Sequence, residues 1–287
     1  MRGNRVVART GTLSVGWRTM FLIEGRAARG LLVSHRLQGK RALVTGGGSG
    51  IGRSAALKLA AEGARVGVLD IDLAAAERVV DEIRQLRGSA LAVHTNVAEE
   101  SEVQSAVAAV EKHFGGLDTV VANAGVMLFE SDTIATELDI TTWQQSLAVN
   151  LTGMFLTCKH GLRALLRAGG GAVVVTGSPT GTHGCAPTFT AYSSSKAGTL
   201  GLMRIMAVDY VKHNIRVNAV MPGTTNSPPV ATLMQNPAIR AESLAKIPMG
   251  RAADAPEIAN VIAFLASDEA SYVTGAIWYA DGGLTAV

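Results

Sequence analysis

Eight consecutive residues decide the fold of this chain, and they read TGGGSGIG at positions 45–52. They follow a short apolar run, Ala42–Val44, and precede a stretch rich in alanine and leucine that is typical of a helix. In such a loop Gly46 allows a tight turn, Gly50 a close approach of backbone to a pyrophosphate, and Gly52 close packing of helix on strand. The free N–H groups and partial positive charge of a helix N-terminus suit a phosphate. The stretch therefore predicts a dinucleotide-binding loop between a first strand and a first helix.

Outward from this loop, short apolar runs alternate with longer amphipathic stretches from Gly39 onward. Strands are predicted at Ala42–Val44, Arg65–Leu69, Ala90–Val93, Thr119–Val121, Ala172–Thr176, Arg216–Val220 and Ala276–Tyr279. Helices are predicted near 50–62, 73–86, 99–113, 139–167, 191–213 and 256–266. Continuous apolar strands are typical of burial on both faces, and strand–helix alternation with right-handed crossovers gives a parallel sheet. The fold class is thus α/β, a doubly wound Rossmann fold with a central parallel sheet of about seven strands flanked by helices.

The charge distribution separates the N-terminal segment from the rest. Residues 1–36 hold seven arginines and one acid, Glu24, so this segment carries a net charge of about +6. Because the whole chain has a net charge of +3, the remaining residues carry about −3. We interpret residues 1–36 as an Arg-rich extension, either a mis-started or added segment or a mitochondrial targeting peptide. Residues 37–287 form a single Rossmann-type domain. The mildly acidic body gives no support to a nucleic-acid groove.

Other classes of protein are disfavoured by composition. Only two cysteines occur, Cys158 and Cys185, without metal-type spacing, and the six histidines form no paired motif, so we expect no metal site. The cysteine content favours a reducing compartment, and we expect a cytoplasmic location. No apolar run reaches the roughly eighteen residues that span a bilayer, so no membrane partner is expected.

The carboxylate of Asp70 indicates the cofactor. Asp70 ends the second strand, eighteen residues beyond Gly52. A carboxylate there accepts hydrogen bonds from the ribose hydroxyls of NAD and repels the 2′-phosphate of NADP. The alternative role, capping a helix, suits Asp72 better because it directly precedes the helix. The sequence therefore predicts NAD.

A tyrosine and a lysine open the helix predicted at 191–213. Tyr192 and Lys196 are four residues apart and so share one helix face. An ordinary tyrosine, with a pKa near 10, is a poor base at neutral pH. We expect the Lys196 ammonium and the positive nicotinamide ring to favour the phenolate and lower the pKa of Tyr192. A tyrosine tuned in this way can exchange a proton with an alcohol or carbonyl oxygen.

From Gly39 to its end, the chain resembles the short-chain dehydrogenase/reductase family. Several ordered motifs carry this resemblance: the glycine loop at 45–52, Asn123-Ala124-Gly125, the lone Asn150, Ser178, Tyr192 to Lys196, and Pro222-Gly223. The resemblance implies that Tyr192 is the general acid/base and that Ser178 stabilises charge on the substrate oxygen. It also implies that Lys196 holds the nicotinamide ribose and that Asn150 anchors a water that links Lys196 to solvent.

The resemblance also implies which residues surround the ligands. The predicted catalytic residues are Asn150, Ser178, Tyr192 and Lys196. The predicted cofactor-binding residues are Gly46, Gly48, Ser49, Gly50, Ile51, Gly52, Asp70, Asn96, Val97, Asn123, Ala124, Gly125, Tyr192, Lys196, Pro222, Gly223, Thr225 and Ser227. The predicted substrate-binding residues are Ser178, Thr180, His183 and Tyr192, with Met127 and Met234 as further wall candidates.

Several of these residues have alternative roles. Asn150 could satisfy buried backbone where its helix is irregular, and Ser178 could cap a turn. His183 could lie on a surface loop rather than in a pocket. Asp118 and Asp281 are interpreted as structural residues that bond nearby backbone.

Three functions remain in competition. The leading hypothesis is an NAD-dependent oxidoreductase that transfers hydride between the nicotinamide and a small-molecule secondary alcohol or ketone. The alternatives are a 3-oxoacyl thioester (acyl-carrier-protein) reductase and a non-catalytic dinucleotide-binding sensor. An irregular zone over 223–254, which follows a strand end, is the expected substrate loop. The resemblance implies a homotetramer built on the helices near 139–167 and 191–213.

Overall fold

The computed structural model describes residues 35–287. The predicted extension over 1–36 therefore lies outside the described residues except for its last two. Arg36 belongs to the folded unit, since its guanidinium donates to the Glu62 carboxylate at 2.7 Å and also pairs with Glu269. Burial alone would raise the pKa of Glu62, but the hydrogen bonds from Arg36 and Lys58 outweigh it and lower that pKa. The division between extension and domain stays a prediction.

Seven of the strands in residues 35–287 form one parallel sheet, in the order β3-β2-β1-β4-β5-β6-β9. A separate two-stranded parallel ribbon pairs β7 with β8. The strands are β1 Arg41–Thr45, β2 Arg65–Asp70, β3 Ser89–His94, β4 Thr119–Ala122, β5 Gly171–Thr176, β6 Ile215–Pro222, β7 Thr225–Asn226, β8 Ala253–Asp254 and β9 Ile277–Ala280. The predicted seven-stranded parallel sheet is confirmed.

Helices cover both faces of this sheet. The helices are α1 Gly50–Ala61, α2 Leu73–Gln85, α3 Glu100–Phe114, α4 Ile140–Leu147, α5 Gly153–Ala168, α6 Thr190–Tyr210, α7 Pro228–Leu233, α8 Pro237–Ala245 and α9 Ala255–Ala266. One buried cluster joins the sheet to α3, α5 and α6, and a second joins it to α1, α2 and α9. Successive strand residues alternate between the clusters: Leu43 belongs to the first and Val44 to the second. This alternation is why the strands are apolar throughout, and the predicted doubly wound fold is confirmed.

The strand order reverses between β1 and β4. Leu43 of β1 lies opposite Gly67 of β2 on one side and Val120 of β4 on the other. The chain leaves β1 toward one edge of the sheet and returns to β4, so the loops that follow β1 and β4 diverge and leave a crevice. Open α/β sheets bind ligands at this kind of switch point.

The predicted helix over 139–167 is continuous but not regular. A π-helical turn, Ala148–Thr152, joins α4 to α5 and contains Asn150. Such turns are rare in proteins, and those that occur are often found at functional sites. The predicted helix over 191–213 corresponds to α6 followed by a short 3-10 turn, Val211–His213.

The predicted irregular zone at 223–254 contains more structure than expected. It holds α7, α8 and the small β7–β8 ribbon, so the prediction of an irregular segment was wrong in this respect. Pro228 and Pro237 stand at the first positions of the two helices, where proline fits because its missing N–H is not needed. Asn236 caps α8 by accepting from the Ala238 amide at 3.0 Å. None of the helices in residues 35–287 combines the length and the apolar character needed to cross a membrane.

Candidate active site

A cavity of about 800 Å³ opens at the carboxyl ends of β1, β4, β5 and β6. Its wall brings together most of the residues predicted from the sequence. These are Gly46, Ser49, Gly50, Ile51, Asp70, Asn96, Val97, Asn123, Ala124, Gly125, Ser178, Thr180, Tyr192, Lys196, Pro222, Gly223, Thr225 and Ser227. Residues far apart in the chain thus meet at the switch point.

Four predicted residues lie outside that wall. Gly48 and Gly52 are in the glycine loop but do not line the cavity, Asn150 is buried behind the wall, and His183 is exposed. Contact of Gly48 and Gly52 with the cofactor stays a prediction. Within the protein, both glycines help to fix the loop.

The glycine loop is fixed by contacts that only glycine permits. Gly46 has a φ of +63°, a conformation that other residues rarely adopt. A Cβ on Gly52 would lie 1.9 Å from the Gly46 carbonyl oxygen, so α1 can pack against the loop only without a side chain there. The loop therefore leaves open backbone beside the first turn of α1, and a pyrophosphate fits such a helix N-terminus.

Asp70 connects this loop to the cavity. Its carboxylate accepts from the Gly48 amide at 2.8 Å and from the Asp72 amide at 3.0 Å. Asp72 accepts from the Ala75 amide at 3.0 Å, so Asp72 is the cap of α2, as predicted. Asp70 also forms part of the cavity wall, so its carboxylate places a negative charge at the end of β2. The residues present thus fit a dinucleotide.

Two threonines that the sequence analysis did not assign to the site hold Asn123. The Thr45 hydroxyl accepts from the Asn123 amide at 3.1 Å and from the Ala124 amide at 3.2 Å. The Asn123 side chain donates to the Thr45 carbonyl oxygen and accepts from the Thr176 hydroxyl at 3.1 Å. Because the side-chain amide is engaged by protein, Asn123 locks β1, β4 and β5 together at the base of the cavity. A direct contact with a ribose, as predicted, would involve its backbone.

Tyr192 and Lys196 share one face of α6, as their spacing predicted. Lys196 is 4% exposed, and its Nζ donates to the Thr176 carbonyl oxygen at 3.0 Å and lies 5.7 Å from the centre of the Tyr192 ring. An ammonium carries three N–H bonds. Lys196 also forms part of the cavity wall, so its ammonium is accessible to a ligand in the cavity.

Burial dominates the electrostatics of this pair. Burial raises the pKa of the Tyr192 hydroxyl, and a hydrogen bond from Ser178 opposes that rise without cancelling it. Burial also lowers the pKa of Lys196 to about 8. The expected lowering of the Tyr192 pKa depends on the Lys196 ammonium together with a positive nicotinamide ring, so it stays a prediction.

Ser178 caps a turn, which is the alternative role considered from the sequence, and it also lines the cavity. It stands at the start of a 3-10 turn, Pro179–Gly181, and its Oγ accepts from the Thr180 hydroxyl at 3.1 Å. The same hydroxyl forms part of the cavity wall beside Tyr192. A capping role therefore fixes the serine without removing it from the site.

Asn150 satisfies buried backbone, the alternative considered from the sequence. Its Oδ1 accepts from the Val126 amide at 2.7 Å, and its Nδ2 donates to the Val126 carbonyl at 3.0 Å and to Ser195 at 3.1 Å. Ser195 in turn donates to the Tyr192 carbonyl oxygen at 2.7 Å. Asn150 therefore joins the loop after β4 to α6 from behind the wall. Its predicted role in anchoring a water stays a prediction.

The far side of the cavity is mostly apolar. It is lined by Met127, Phe129, Phe189, Val230, Met234, Ile239 and Leu284. Phe129 and Phe189 meet edge to face, with ring centres 5.7 Å apart. Met127 and Met234 were predicted to line the pocket. The two phenylalanines were not, because no local sequence pattern distinguishes them as residues that line a cavity. At the outer end, Lys246 pairs with Glu242 at 2.8 Å.

His183 was predicted to bind substrate, and the structure places it elsewhere. Its Nδ1 lies 2.8 Å from the Thr182 hydroxyl, and its ring packs edge-on against Tyr279. The short turn after Ser178 directs the histidine outward, so it belongs to a surface loop. Asp118 and Asp281 are structural, as interpreted: Asp118 pairs with Arg41 at 2.7 Å, and Asp281 accepts from the Gly283 amide at 3.0 Å.

Known proteins resemble the chain over most of its length. A family model described as enoyl-(acyl carrier protein) reductase matches residues 46–285. The chain is 44% identical over 249 residues to cis-4-hydroxycyclohexanecarboxylate dehydrogenase of Sinomonas cyclohexanicum, covering 86% of this chain and 96% of that protein. It is 40% identical over 254 residues to cyclohexanol dehydrogenase of Acinetobacter sp. strain SE19, covering 88% and 98%. A solved short-chain type dehydrogenase/reductase from Mycobacterium marinum has a TM-score of 0.83 and 34% identity, covering 89% of this chain and 99% of that one.

Proposed function

Because this chain belongs to the short-chain dehydrogenase/reductase family, we propose that its cavity binds NAD beside a cyclic secondary alcohol or the corresponding ketone. The chain is an oxidoreductase that acts on the CH–OH group of secondary alcohols. The observation that carries the finer proposal is the meeting of Ser178, Tyr192 and Lys196 in one cavity wall, opposite an apolar surface.

The choice of NAD rests on charge at the end of β2. Asp70 forms part of the cavity wall, and it follows the glycine loop at the distance where a carboxylate meets the adenosine ribose. A second phosphate on that ribose would face the carboxylate, which repels it. The neighbouring Ile71 supplies no cation to compensate. These features support NAD over NADP.

The proton transfer is assigned to this chain's own side chains. A bound nicotinamide would supply the hydride chemistry at the carbinol or ketone carbon. Tyr192 takes the proton of the alcohol oxygen during oxidation and gives it back during reduction. Ser178 donates a hydrogen bond to that oxygen and stabilises its developing charge. Lys196 holds the sugar beside the ring, and its charge favours the deprotonated form of Tyr192 once the site is filled.

The ring-shaped substrate is proposed from the wall opposite Tyr192. Met127, Phe129 and Phe189 present apolar and aromatic surface to the cavity. Burial of apolar surface stabilises binding by about 25 cal/mol per Å², so such a wall favours a compact hydrocarbon over a sugar. Two similar proteins are named for cyclohexane-ring alcohols, which is consistent with this wall.

A steady-state assay tests the function. Purified protein with NAD is given cyclohexanol, cis-4-hydroxycyclohexanecarboxylate, a linear secondary alcohol and a polyol, and NADH formation is followed. We expect turnover of the cyclic alcohols with a higher kcat/KM than that of the polyol. NADH binding without turnover of any alcohol would favour the dinucleotide sensor. NADPH-dependent reduction of a 3-oxoacyl thioester, with no alcohol oxidation, would favour the carrier-linked reductase.

The assembly is proposed to be a homotetramer. Apolar side chains are exposed on the outer faces of α5 and α6: Phe155, Leu166, Ile205 and Val208. Exposed apolar patches on two helices suit a self-complementary interface. Light scattering tests this assembly, and a monomer at micromolar concentration would contradict it.

A cytoplasmic location stays a prediction from the cysteine content.

A further inference from the structure

A buried carboxylate from another part of the chain caps the helix that carries Tyr192. Asp132 is 6% exposed and lies in the loop between β4 and α4. One carboxylate oxygen accepts from the Ala191 amide at 3.0 Å, and the other accepts from the Tyr192 amide at 2.9 Å. These two amides belong to the first turn of α6. Sixty residues separate Asp132 from Tyr192 along the chain.

The helix has no capping group of its own in this turn. The residue at its N-cap position, Phe189, forms no side-chain cap, and no acidic residue occurs in the first turn. The first N–H groups of a helix lack partners within the helix, and a negative charge beside them is favourable. Asp132 therefore supplies from a distant part of the chain what α2, α4 and α8 obtain from the residue directly before them.

The segment that carries Asp132 also forms the apolar wall. Asp132 closes a turn by donating its own amide to the Leu128 carbonyl at 2.8 Å. Within this turn Phe129 contacts Phe189, the residue just before α6. Asp132 and Phe129 thus join the same two segments, one by hydrogen bonds to the helix and one by ring packing in the cavity.

We propose that Asp132 is a positioning residue, which holds the Tyr192 hydroxyl at a fixed distance from the wall formed by Met127 and Phe129. The proposal rests on the proposed function. The glycine loop and Asp70, which form most of the cofactor side of the cavity, are on other elements, and Lys196 lies one turn further along α6 than the capped amides. Loss of the carboxylate therefore frees the first turn of α6 relative to the substrate wall and changes NADH binding much less than kcat.

Three variants test the proposal. Asp132→Ala removes both acceptors, and Asp132→Asn keeps one acceptor oxygen at nearly the same volume. Asp139→Ala is the matched control: Asp139 lies in the same loop and accepts from the Thr141 amide at 2.7 Å, but it is exposed and caps α4 instead. Amide hydrogen exchange of peptides covering 189–196, the NADH dissociation constant, and kcat and KM for a cyclic alcohol are measured for each.

We expect faster exchange at the start of α6 in Asp132→Ala and a fall in kcat of about 100-fold, since a small misplacement of a reacting group has that effect. The NADH dissociation constant should stay within about twofold, Asp132→Asn should recover part of kcat, and Asp139→Ala should resemble the wild type. Unchanged exchange in Asp132→Ala overturns the proposal whatever the activity. A kcat that stays normal, or a loss of NADH binding that matches the loss of kcat, also overturns it. Absence of turnover in the wild type would instead contradict the proposed function, and the exchange measurement would still decide whether Asp132 holds α6.

Discussion

Replacement of Lys196 by methionine should change how stability depends on pH. Burial lowers the pKa of Lys196 to about 8 from the ordinary 10.5. Between these values the unfolded chain binds a proton that the folded chain does not, so the free energy of unfolding rises with pH in that window. The slope for one group is about 1.4 kcal/mol per pH unit, which gives about 3 kcal/mol over the whole window. Lys196→Met lacks this contribution at every pH.

The measurement is urea unfolding of wild type and Lys196→Met without cofactor, at pH 7.5 and pH 9.5. The difference between the two proteins removes the titration of other buried groups, including Cys158 and Tyr192. We expect the wild type to gain about 2 kcal/mol relative to the variant over this interval. Lys112→Met is the matched control, because Lys112 is exposed. Its free energy of unfolding should change with pH by the same amount as that of the wild type. Parallel curves for wild type and Lys196→Met would refute the claim that the Lys196 ammonium is buried at a cost.

The site supports three further predictions. Asp70→Asn loses the charge and keeps one of the two acceptor oxygens that serve the Gly48 and Asp72 amides. It should move the ratio of kcat/KM for NAD over NADP by tenfold or more toward NADP (about 1.4 kcal/mol); an unchanged ratio would show that the ribose is recognised elsewhere. Gly52→Ala should weaken NADH binding and lower the free energy of unfolding in urea by about 1–3 kcal/mol, because its Cβ would meet the Gly46 carbonyl. Gly184→Ala is the control, and it should change neither quantity because the space around Gly184 is open. Since Tyr192 must be deprotonated to accept a proton and protonated to give one, kcat/KM should rise with pH for alcohol oxidation and fall with rising pH for ketone reduction; the same trend in both directions would contradict this role.

Much of the fold could be predicted from local sequence. Strands buried on both faces have continuous apolar runs, and the glycine loop marks the first strand–helix turn, so the seven strands were placed within a residue or two. The zone over 223–254 was predicted less well. Its two helices are short and begin with prolines. Proline is typical of irregular backbone, but it also suits the first turn of a helix.

The candidate site was predictable where its residues lie in motifs and unpredictable where partners come from distant strands. Thr176 and Asp132 carry no local signal, since their hydrogen bonds reach across the sheet or between loops. The glycine motif includes Thr45 but does not show that its hydroxyl holds Asn123. The effect of burial on the pKa values of Tyr192 and Lys196 could not be predicted for a similar reason. The spacing shows that a lysine is near, but only packing shows how far both groups are removed from water.

The central claim is that the Tyr192 hydroxyl transfers the proton of the alcohol. The most direct test is Tyr192→Phe, which removes one oxygen and keeps the ring, with kcat measured on a cyclic alcohol and NADH affinity measured by fluorescence. We predict that NADH affinity is kept and that kcat falls about 100- to 10,000-fold, the range general acid–base catalysis supplies. A Tyr192→Phe variant that turns over at close to the wild-type rate would contradict the account.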